Sequence, residues 1–486
     1  MMAAVYQNLI GGQQMPCASG RTFRDANPAD TSDTVGEFPA SDAVDAERAV
    51  AAAATACPAW SALAAPARGA VLVRAADIIE RRADEIAAAL VREEGKTLAE
   101  ARGETLRAAL ILRYYGMDVY HAVGEVIPSA GARSLLFTRR VPLGVVSLVT
   151  PWNFPIAIPA WKLAPAIAYG NAVVLKPSEL APLSSHLFVE ALCEAGLPPG
   201  VVNVVHGPGA PMSQALIAPP VSAVSFTGSA QTGRQIAMRA AEQGVKCQLE
   251  MGGKNPVLVM PDADLEHAVE LTVTGAFRSA GEKCTATSRA IVVGPIIEPF
   301  TDRVVARTRG LVIGPGTDPA AHVGPVISEH ARERVLAHIR MAAAEGARVL
   351  IGGGVPTGEP FDRGYYVEPT VLGDVTPQMA VAQEEVFGPV LAIIGVETFD
   401  EALRIANGVR YGLSASIFTR DIDCALEFAE RIEAGLVRVN GETAGVEPQA
   451  PFGGFKASSS FSREQGRAAM EFYTQVKTIS FDRTRE

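Results

Sequence analysis

Residues 277–289, FRSAGEKCTATSR, contain a cysteine whose surroundings favour nucleophilic chemistry. Cys284 stands among small polar residues, with Lys283 beside it and Arg278 and Arg289 nearby in the sequence. Because neighbouring positive charge lowers the pKa of a thiol, this composition predicts a raised thiolate fraction. A thiolate of this kind can attack a carbonyl carbon. A structural cysteine is the alternative, which this stretch by itself leaves open.

Two further stretches offer groups that a reaction at a carbonyl needs. Glu250 lies at the end of a predicted strand in LEMGGKNP, residues 249–256, where a partly desolvated carboxylate can act as a general base. Asn153 lies between two prolines in PWNFP, residues 151–155, and its side-chain amide can donate to an oxyanion. A surface glutamate and a turn-forming asparagine are the corresponding alternatives.

Two turns that follow predicted strands have features of a dinucleotide site. Residues 228–233 precede a predicted helix, so backbone N–H groups and the hydroxyl of Ser229 can bind phosphate there. Lys176 offers an ammonium group, and Glu179 offers a carboxylate for ribose hydroxyls. Ordinary turns remain the alternatives, since the first pattern lacks both GxGxxG and the GK[ST] ending.

The elements that position these residues predict an α/β fold. Apolar β-branched runs alternate with helical periodicity between residues 141 and 250, and the second half repeats that alternation. Such alternation predicts parallel sheets flanked by helices, with ligands at the carboxyl ends of the strands. The N-terminal part predicts helices over residues 42–63, 66–93 and 96–123.

Composition narrows the class of protein. The chain has 486 residues, about three domains' worth, and a net charge of −10 without a basic run, which argues against nucleic-acid binding. The six cysteines show neither CxxC pairs nor zinc spacing, so we expect reduced thiols, a cytoplasmic location and no metal site. Prolines, a lysine and an asparagine interrupt the apolar run 156–175, and the N-terminus lacks signal-peptide character, so no membrane association is expected.

Taken together, the motifs resemble the aldehyde dehydrogenase superfamily nearly from end to end. The stretches that carry the resemblance occur in the family's order: PWNFP at 151–155, KPSE at 176–179, FTGS at 226–229, LEMGGKNP at 249–256, GEKC at 281–284, EEVFGP at 384–389, YGLSASIFT at 411–419 and PFGGFK at 451–456. The resemblance implies an aldehyde dehydrogenase-like α/β fold in three parts. These are a parallel-sheet dinucleotide-binding domain (1–123 and 143–252), an α/β catalytic domain (253–447) and a small β oligomerisation element (124–142 and 448–486).

The resemblance also implies residue roles. Cys284 attacks the aldehyde, Asn153 and the backbone N–H of Cys284 hold the oxyanion, and hydride transfer to the nicotinamide leaves a thioester. Glu250 activates the water that hydrolyses this thioester, and Lys162 matches a lysine near the oxyanion and cofactor region. The implied cofactor contacts are Thr150, Pro151, Trp152, Lys176, Ser178, Glu179, Gly228, Ser229, Gly252, Glu385 and Phe387. Glu179 favours NAD because it repels a 2′-phosphate, although NADP is not excluded.

The substrate is predicted from local resemblance to enzymes that oxidise α-ketoglutarate semialdehyde, carried by residues 156–162, 443–446, 462–466 and 471–478. Arg278 matches an arginine that binds the distal carboxylate in semialdehyde-acting relatives, and Phe154 and Trp161 are further expected substrate contacts. Trp161 stands where succinate semialdehyde enzymes carry a second arginine, which weakens that assignment. Succinate semialdehyde and other aliphatic or aromatic aldehydes remain alternatives.

Two other classes of protein are alternatives to a dehydrogenase. A cysteine esterase or thioesterase without a redox step could use Cys284 and Glu250, and a catalytically idle structural protein would need neither. The dinucleotide motifs argue against the first class, and the intact candidate residues argue against the second. An exposed C-terminal edge strand would need a partner, which predicts a homodimer or a homotetramer.

Overall fold

Strands and helices alternate along most of the chain, in a computed structural model that describes residues 4–121 and 123–483. The strands are β1 (Asn8–Ile10), β2 (Gln13–Met15), β3 (Thr22–Ala26), β4 (Thr34–Pro39), β5 (Val126–Ile127), β6 (Ser134–Pro142), β7 (Val145–Val149), β8 (Ala172–Lys176), β9 (Val202–Val204), β10 (Val221–Thr227), β11 (Lys246–Glu250), β12 (Asn255–Val259), β13 (Thr287–Val293), β14 (Arg348–Ile351), β15 (Thr370–Gly373), β16 (Val390–Val396), β17 (Tyr411–Gly412), β18 (Ser414–Phe418), β19 (Leu436–Val439), β20 (Phe455–Lys456) and β21 (Thr474–Asp482).

The α-helices connect these strands and cover the faces of the sheets. They are α1 (Ala43–Ala62), α2 (Ala65–Arg81), α3 (Ala83–Glu94), α4 (Leu98–Asp118), α5 (Ala157–Ala168), α6 (Pro182–Glu194), α7 (Gly209–Met212), α8 (Ala230–Gln243), α9 (Leu265–Phe277), α10 (Ile297–Arg309), α11 (Glu329–Ala344), α12 (Ala380–Gln383), α13 (Phe399–Asn407), α14 (Ile422–Arg431) and α15 (Ala468–Tyr473).

The first large sheet has the strand order β11-β10-β7-β8-β9-β1-β2. The five strands from β11 to β9 are parallel, whereas β1 runs antiparallel to β9 and to β2. The central strand β8, with the sequence AVVLK, is buried throughout, as expected for a parallel strand covered on both faces. This sheet confirms the predicted alternation of strands and helices.

The second large sheet has the order β14-β15-β16-β13-β12-β18-β19, and its pairs are parallel except for β14 with β15. Valine, isoleucine, leucine and alanine from these strands form one continuous core with α9, α10, α11 and α13. The sequence did not predict β14 or β15. Each has only four residues, and a glycine follows the first and ends the second, so neither gives a strong periodic signal.

Two predicted helices differ from the structure. The helix predicted over 66–93 is divided into α2 and α3 at Arg82, whose backbone leaves the helical region with φ −96° and ψ 12°. Neither glycine nor proline marks this break. Instead, α3 turns to pack against α4 and α6. The helix predicted over 96–123 ends at Asp118, and position 122 of that prediction lies outside the described residues.

A small three-stranded sheet, in the order β21-β6-β5, combines two distant parts of the chain. The C-terminal strand β21 pairs antiparallel with β6 along its whole length and has no strand on its other side among the described residues. The predicted edge strand is therefore confirmed, whereas the boundaries of the three predicted domains stay a prediction. Among the helices of the described ranges, none is both long and apolar enough to span a membrane.

Candidate active site

The carboxyl ends of four parallel strands bring the sequence motifs to one edge of the first sheet. Thr150 follows β7, Lys176 ends β8, Thr227 ends β10 and Glu250 ends β11. The parallel register places these strand ends side by side, since Val149 pairs with Lys176 and Thr227 with Glu250. The predicted ligand edge of the sheet is therefore the edge that carries these motifs.

A cavity of about 180 Å³ opens at this edge, between the two large sheets. Residues from both halves of the chain line it, and most of them belong to the predicted motifs. They are Pro151, Trp152, Asn153, Ile158, Thr227, Gly228, Ser229, Met251, Gly252, Cys284, Arg334, Glu385 and Phe387. The structure thus brings the candidate nucleophile, the candidate oxyanion donor and much of the predicted dinucleotide site to one cavity.

A strained turn directly after α9 places Cys284 at this cavity. Ser279, Ala280 and Gly281 have φ values of 52°, 50° and 70°, which non-glycine residues rarely adopt. A Cβ atom on Gly281 would overlap the carbonyl oxygen of Gly388, so glycine is required there. Consecutive left-handed residues persist only when the surrounding packing fixes them, and such strain concentrates at functional sites.

The pKa of Cys284 is shifted in the opposite direction from the sequence prediction. Burial, followed by the nearby carboxylates of Glu385 and Glu250, raises the pKa of the thiol to about 12. The predicted lowering of the pKa was wrong because burial of the thiol and the two carboxylates outweigh the neighbouring cations. Arg289 donates to backbone carbonyls of Lys254, Ile405 and Ala406, and Lys283 is buried near Glu442 and Glu100. The resting sulfur is therefore a protonated thiol at neutral pH.

Two hydrogen bonds hold Asn153 in place, and they use only one of its two side-chain amide hydrogens. Its Nδ2 donates to the carbonyl oxygen of Glu282 at 2.9 Å, and its own backbone carbonyl accepts from Lys96 Nζ at 2.9 Å. A primary amide carries two N–H groups, so the second can donate to an oxygen bound in the cavity. Lys96 is itself buried against Glu104, which also caps the start of α5. The Asn153 amide is therefore positioned by a buried hydrogen-bond network that includes the charged side chains of Lys96 and Glu104.

Glu250 is a buried carboxylate, with 2% of its surface exposed. Burial, with a smaller contribution from Glu464, raises its pKa well above the ordinary value. Its Oε2 accepts from the hydroxyl of Ser459 at 2.5 Å, whereas Oε1 is buried without a partner. A carboxylate with a raised pKa and one free oxygen has the properties of a general base. Glu250 does not line the cavity itself, but its charge acts on the Cys284 thiol.

Lys162 lies near Glu250 and does not line the cavity. It is fully buried, ion-paired with Glu464, and it donates to Ser225 Oγ at 2.8 Å. Its positive charge lowers the pKa of Glu250. The structure therefore gives Lys162 an electrostatic position near the base, and the predicted proximity to the oxyanion is not observed.

Some of the predicted dinucleotide contacts line the cavity, and the others lie at the neighbouring end of strand β8. Lys176 Nζ donates to Glu179 Oε2 at 3.2 Å and to the carbonyl of Gly207 at 3.0 Å, while Glu179 is exposed. Ser178 is buried beside them, and its hydroxyl accepts from the N–H of Leu180. Ser229 forms the N-cap of α8 and accepts from the N–H of Thr232.

On the cavity side, Glu385 and Phe387 fit the predicted nicotinamide end of the cofactor. Glu385 accepts from the N–H of Gly253 at 2.9 Å, and burial raises its pKa to about 6. A Cβ atom on Gly252 would overlap the Glu385 carboxylate, which explains the glycine. Phe387 meets Trp152 edge-on, with 5.6 Å between the ring centroids.

Three buried polar atoms near this edge have no protein partner among the described residues: Thr150 Oγ1, Thr227 Oγ1 and Arg334 Nε. Buried polar atoms without partners need an explanation, and a polar ligand in the cavity would supply one. The residues present therefore fit a bound dinucleotide. The sequence did not predict Arg334, Thr227, Met251 or Ile158 as site residues. Arg334 lies in the ordinary helix α11, where no sequence signal distinguishes it from other arginines.

The predicted substrate residues lie outside this cavity. Arg278 is exposed and lines a separate cavity of about 370 Å³ with Glu100, Phe277 and Arg307. Trp161 stacks at a tilt on Phe452, with 5.5 Å between the centroids, and its Nε1 is buried without a partner. Phe154 lies under the ammonium group of Lys96 at 4.3 Å. The structure does not bring these three residues together with Cys284 in one cavity.

Comparisons with known proteins identify the family that this chain matches. A model described as the aldehyde dehydrogenase family matches residues 15–479. The alpha-ketoglutaric semialdehyde dehydrogenase of Bacillus subtilis is 50% identical over 98% of this chain and 97% of its own length. The alpha-ketoglutarate semialdehyde dehydrogenase of Haloferax volcanii is 46% identical over 97% and 98%.

The fold has a close match among solved structures. The crystal structure of betaine aldehyde dehydrogenase from Staphylococcus aureus in complex with NAD+ superimposes with a TM-score of 0.96 at 34% identity, covering 99% of this chain and 96% of that chain.

Within the part of the chain that the structure describes, no group of three or more His, Cys, Asp or Glu side chains is arranged to hold a metal ion.

Proposed function

Because the chain belongs to the aldehyde dehydrogenase family, we propose that it oxidises a carboxylated semialdehyde, α-ketoglutarate semialdehyde, to the carboxylic acid with NAD. The observation that carries the proposal is the shared cavity of Cys284 and Asn153 with Glu385 and Phe387. The names of the two semialdehyde-oxidising relatives support this choice of substrate.

The reaction uses four groups of the chain. The Cys284 thiol releases its proton to solvent water as the sulfur bonds to the aldehyde carbon, and Asn153 Nδ2 with the backbone N–H of Cys284 donates to the new oxyanion. Loss of hydride from that carbon leaves an acyl thioester on Cys284. Glu250 takes a proton from the attacking water, the carbon–sulfur bond breaks, and the acid is released. When bound, a nicotinamide dinucleotide supplies the acceptor for the hydride.

Cofactor choice follows from the charge of Glu179. A carboxylate at the ribose contact accepts from a 2′-hydroxyl and repels a 2′-phosphate. We expect Glu179→Gln to raise the affinity for NADP relative to NAD by about tenfold, which corresponds to about 1.4 kcal/mol of like-charge repulsion removed at an exposed, solvent-screened residue. Equilibrium titration with both dinucleotides measures this ratio. An unchanged ratio would mean that Glu179 does not face the 2′ position.

The resemblance, and not the cavity geometry, assigns the distal carboxylate of the substrate to Arg278, which lines a different cavity from Cys284. Its guanidinium is exposed and has no hydrogen-bond or ion-pair partner among the described side chains, so it is available to an anion. We expect Arg278→Ala to lower kcat/KM for a semialdehyde carboxylate about tenfold or more, because a bidentate charged contact is lost. Neutral aldehydes of equal length should be affected little.

Steady-state kinetics over matched pairs of charged and neutral aldehydes measure this difference. Arg303→Ala is the matched control. Arg303 is an exposed arginine of α10 that pairs with Glu266, outside the cavity that Arg278 lines. Equal losses for charged and neutral aldehydes in Arg278→Ala would remove Arg278 from substrate recognition.

The proposed function is tested by incubating the protein with NAD and a panel of aldehydes and following the absorbance of the reduced nicotinamide. We expect the highest kcat/KM with α-ketoglutarate semialdehyde and a lower value with succinate semialdehyde. Ester hydrolysis without any reduced nicotinamide would instead support a thioesterase-like activity. Equal rates with all aldehydes would contradict the substrate assignment and leave the oxidation itself intact.

We also propose that the protein is a homo-oligomer. The outer edge of β21 exposes backbone groups together with Val476 and Phe481, which are 56% and 61% exposed. Unpaired edges with apolar side chains are normally covered by another chain. Light scattering of the purified protein would give the number of copies, and a monomer would contradict the proposal.

A further inference from the structure

We propose that Ser459 is a positioning residue, whose hydroxyl holds the carboxylate of Glu250 so that only one of its oxygens is free to accept the proton of the hydrolytic water. The proposal rests on the proposed role of Glu250 as the base that completes the reaction. It goes beyond that role because it assigns the orientation of the base to a residue in a distant segment of the chain.

The segment around Ser459 extends the first sheet at the strand that ends in Glu250. Met251 donates its N–H to the carbonyl of Ser458 at 2.7 Å, and Ser460 donates its N–H to the carbonyl of Leu249 at 2.9 Å. Glu250 and Ser459 form an antiparallel bridge between these bonds. The bridge fixes Ser459 directly opposite the base, and β11 is the edge strand that makes this pairing available.

The Ser459 hydroxyl makes a second hydrogen bond, to the backbone. The N–H of Gly454 donates to Ser459 Oγ at 2.6 Å, so this oxygen is already an acceptor. The deprotonated carboxylate of Glu250 can only accept, so the hydroxyl hydrogen of Ser459 donates to Glu250 Oε2 at 2.5 Å. Glu250 Oε1 is left buried and without a partner. One carboxylate oxygen is anchored and the other is free, which is the arrangement that a base with a fixed direction requires.

Several charged groups face Glu250 from the elements packed around it. Glu464 and Arg463 come from the segment that follows Ser459, Lys162 comes from α5, and Cys284 comes from the turn after α9. Burial and Glu464 raise the pKa of Glu250, whereas the Ser459 hydrogen bond, Lys162 and Arg463 lower it. Among the described side chains, only Ser459 donates a hydrogen bond to this carboxylate.

Loss of the hydroxyl should therefore appear as a pH effect. A hydrogen bond to the charged form of a carboxylate lowers its pKa, so its removal raises that pKa further. Thioester hydrolysis needs the deprotonated base and falls as the pH drops through this pKa. In Ser459→Ala the acid limb of hydrolysis should move to higher pH by about one unit, the usual worth of one such hydrogen bond. The rate below the limb should be about tenfold lower, and the rates of the two proteins should converge above it.

The experiment compares the rapid first turnover of NADH formation with the steady-state rate over a range of pH, for wild type and Ser459→Ala. The amplitude of the first turnover reports correctly folded sites and should be unchanged. Ser459→Thr keeps a hydroxyl and should restore the wild-type pH profile. Ser462→Ala is the matched control, since Ser462 lies in the same segment and its buried hydroxyl has no partner among the described residues. Its profile should match that of wild type.

A loss of rate in Ser459→Ala that is equal at every pH would show a structural role only and would overturn the proposal, as would an unchanged profile. If Ser459→Ala does not fold, Ser459→Cys gives the same comparison with a weaker donor and should show a smaller shift in the same direction. No NADH from the wild-type protein with any aldehyde would instead contradict the proposed function, and the role of Ser459 with it.

Discussion

Replacement of Cys284 by alanine is expected to abolish aldehyde oxidation while NAD still binds. The sulfur forms the covalent bond on which both halves of the reaction depend, so kcat should fall by about four orders of magnitude or more. The side chain of Cys284 only borders the cavity, and the residues that fit the dinucleotide remain in place. The measurement is NADH formation together with equilibrium titration of NAD.

Cys424→Ala is the control for this substitution, because Cys424 is also partly buried but lies in α14, away from the cavity. It should retain wild-type activity. Substantial NADH formation by Cys284→Ala would show that another group attacks the aldehyde. Alkylation of Cys284 by iodoacetamide gives a second readout. Because the thiol has a pKa of about 12, the alkylation rate of the free protein should keep rising with pH across the neutral and alkaline range.

Replacement of Glu250 by glutamine is expected to leave the first half of the reaction intact and to stop the second. Glutamine has nearly the same shape and can still accept from Ser459, but it cannot take a proton from water. One equivalent of NADH should appear rapidly for each active site. The steady-state rate should then be about 10² to 10⁴-fold lower than that of wild type, the usual contribution of a general base. Rapid-mixing absorbance separates the two phases.

Glu85→Gln serves as the control for the loss of a carboxylate. Glu85 is an exposed residue of α3 that pairs with Arg82 and does not line the cavity of Cys284. Its replacement should change neither phase. Full steady-state turnover by Glu250→Gln would contradict the role of Glu250 as the base, and a missing first turnover would mean that Glu250 is also needed to form the thioester.

The sequence predicted the edge of the sheet where the candidate site lies, because the motifs at that edge follow local rules. The motifs at Lys176, Gly228 and Glu250 each follow a recognisable buried strand, and parallel strands end at the same edge. The resemblance of these motifs to a known family supplied their roles. The family and the α/β fold are confirmed by the comparisons, whereas the roles of individual residues stay predictions.

The features that the sequence did not predict depend on contacts between distant residues. The positive charges near Cys284 in the sequence predicted a lowered thiol pKa, yet folding buries the thiol, directs Arg289 to backbone carbonyls and places the carboxylates of Glu385 and Glu250 near the sulfur. Ser459 reaches Glu250 across 209 positions of the sequence. Local sequence patterns do not indicate such pairs, because the two residues meet only when distant segments of the chain pair with each other.

The central claim is that the acyl group formed by oxidation is carried by the sulfur of Cys284. Its most direct test is mass spectrometry of the Glu250→Gln protein, quenched in acid after mixing with NAD and α-ketoglutarate semialdehyde. We predict that the peptide containing Cys284 gains the mass of one acyl group and loses it on treatment with hydroxylamine. An unmodified Cys284 peptide after one equivalent of NADH has formed, or the acyl group on another residue, would contradict the account.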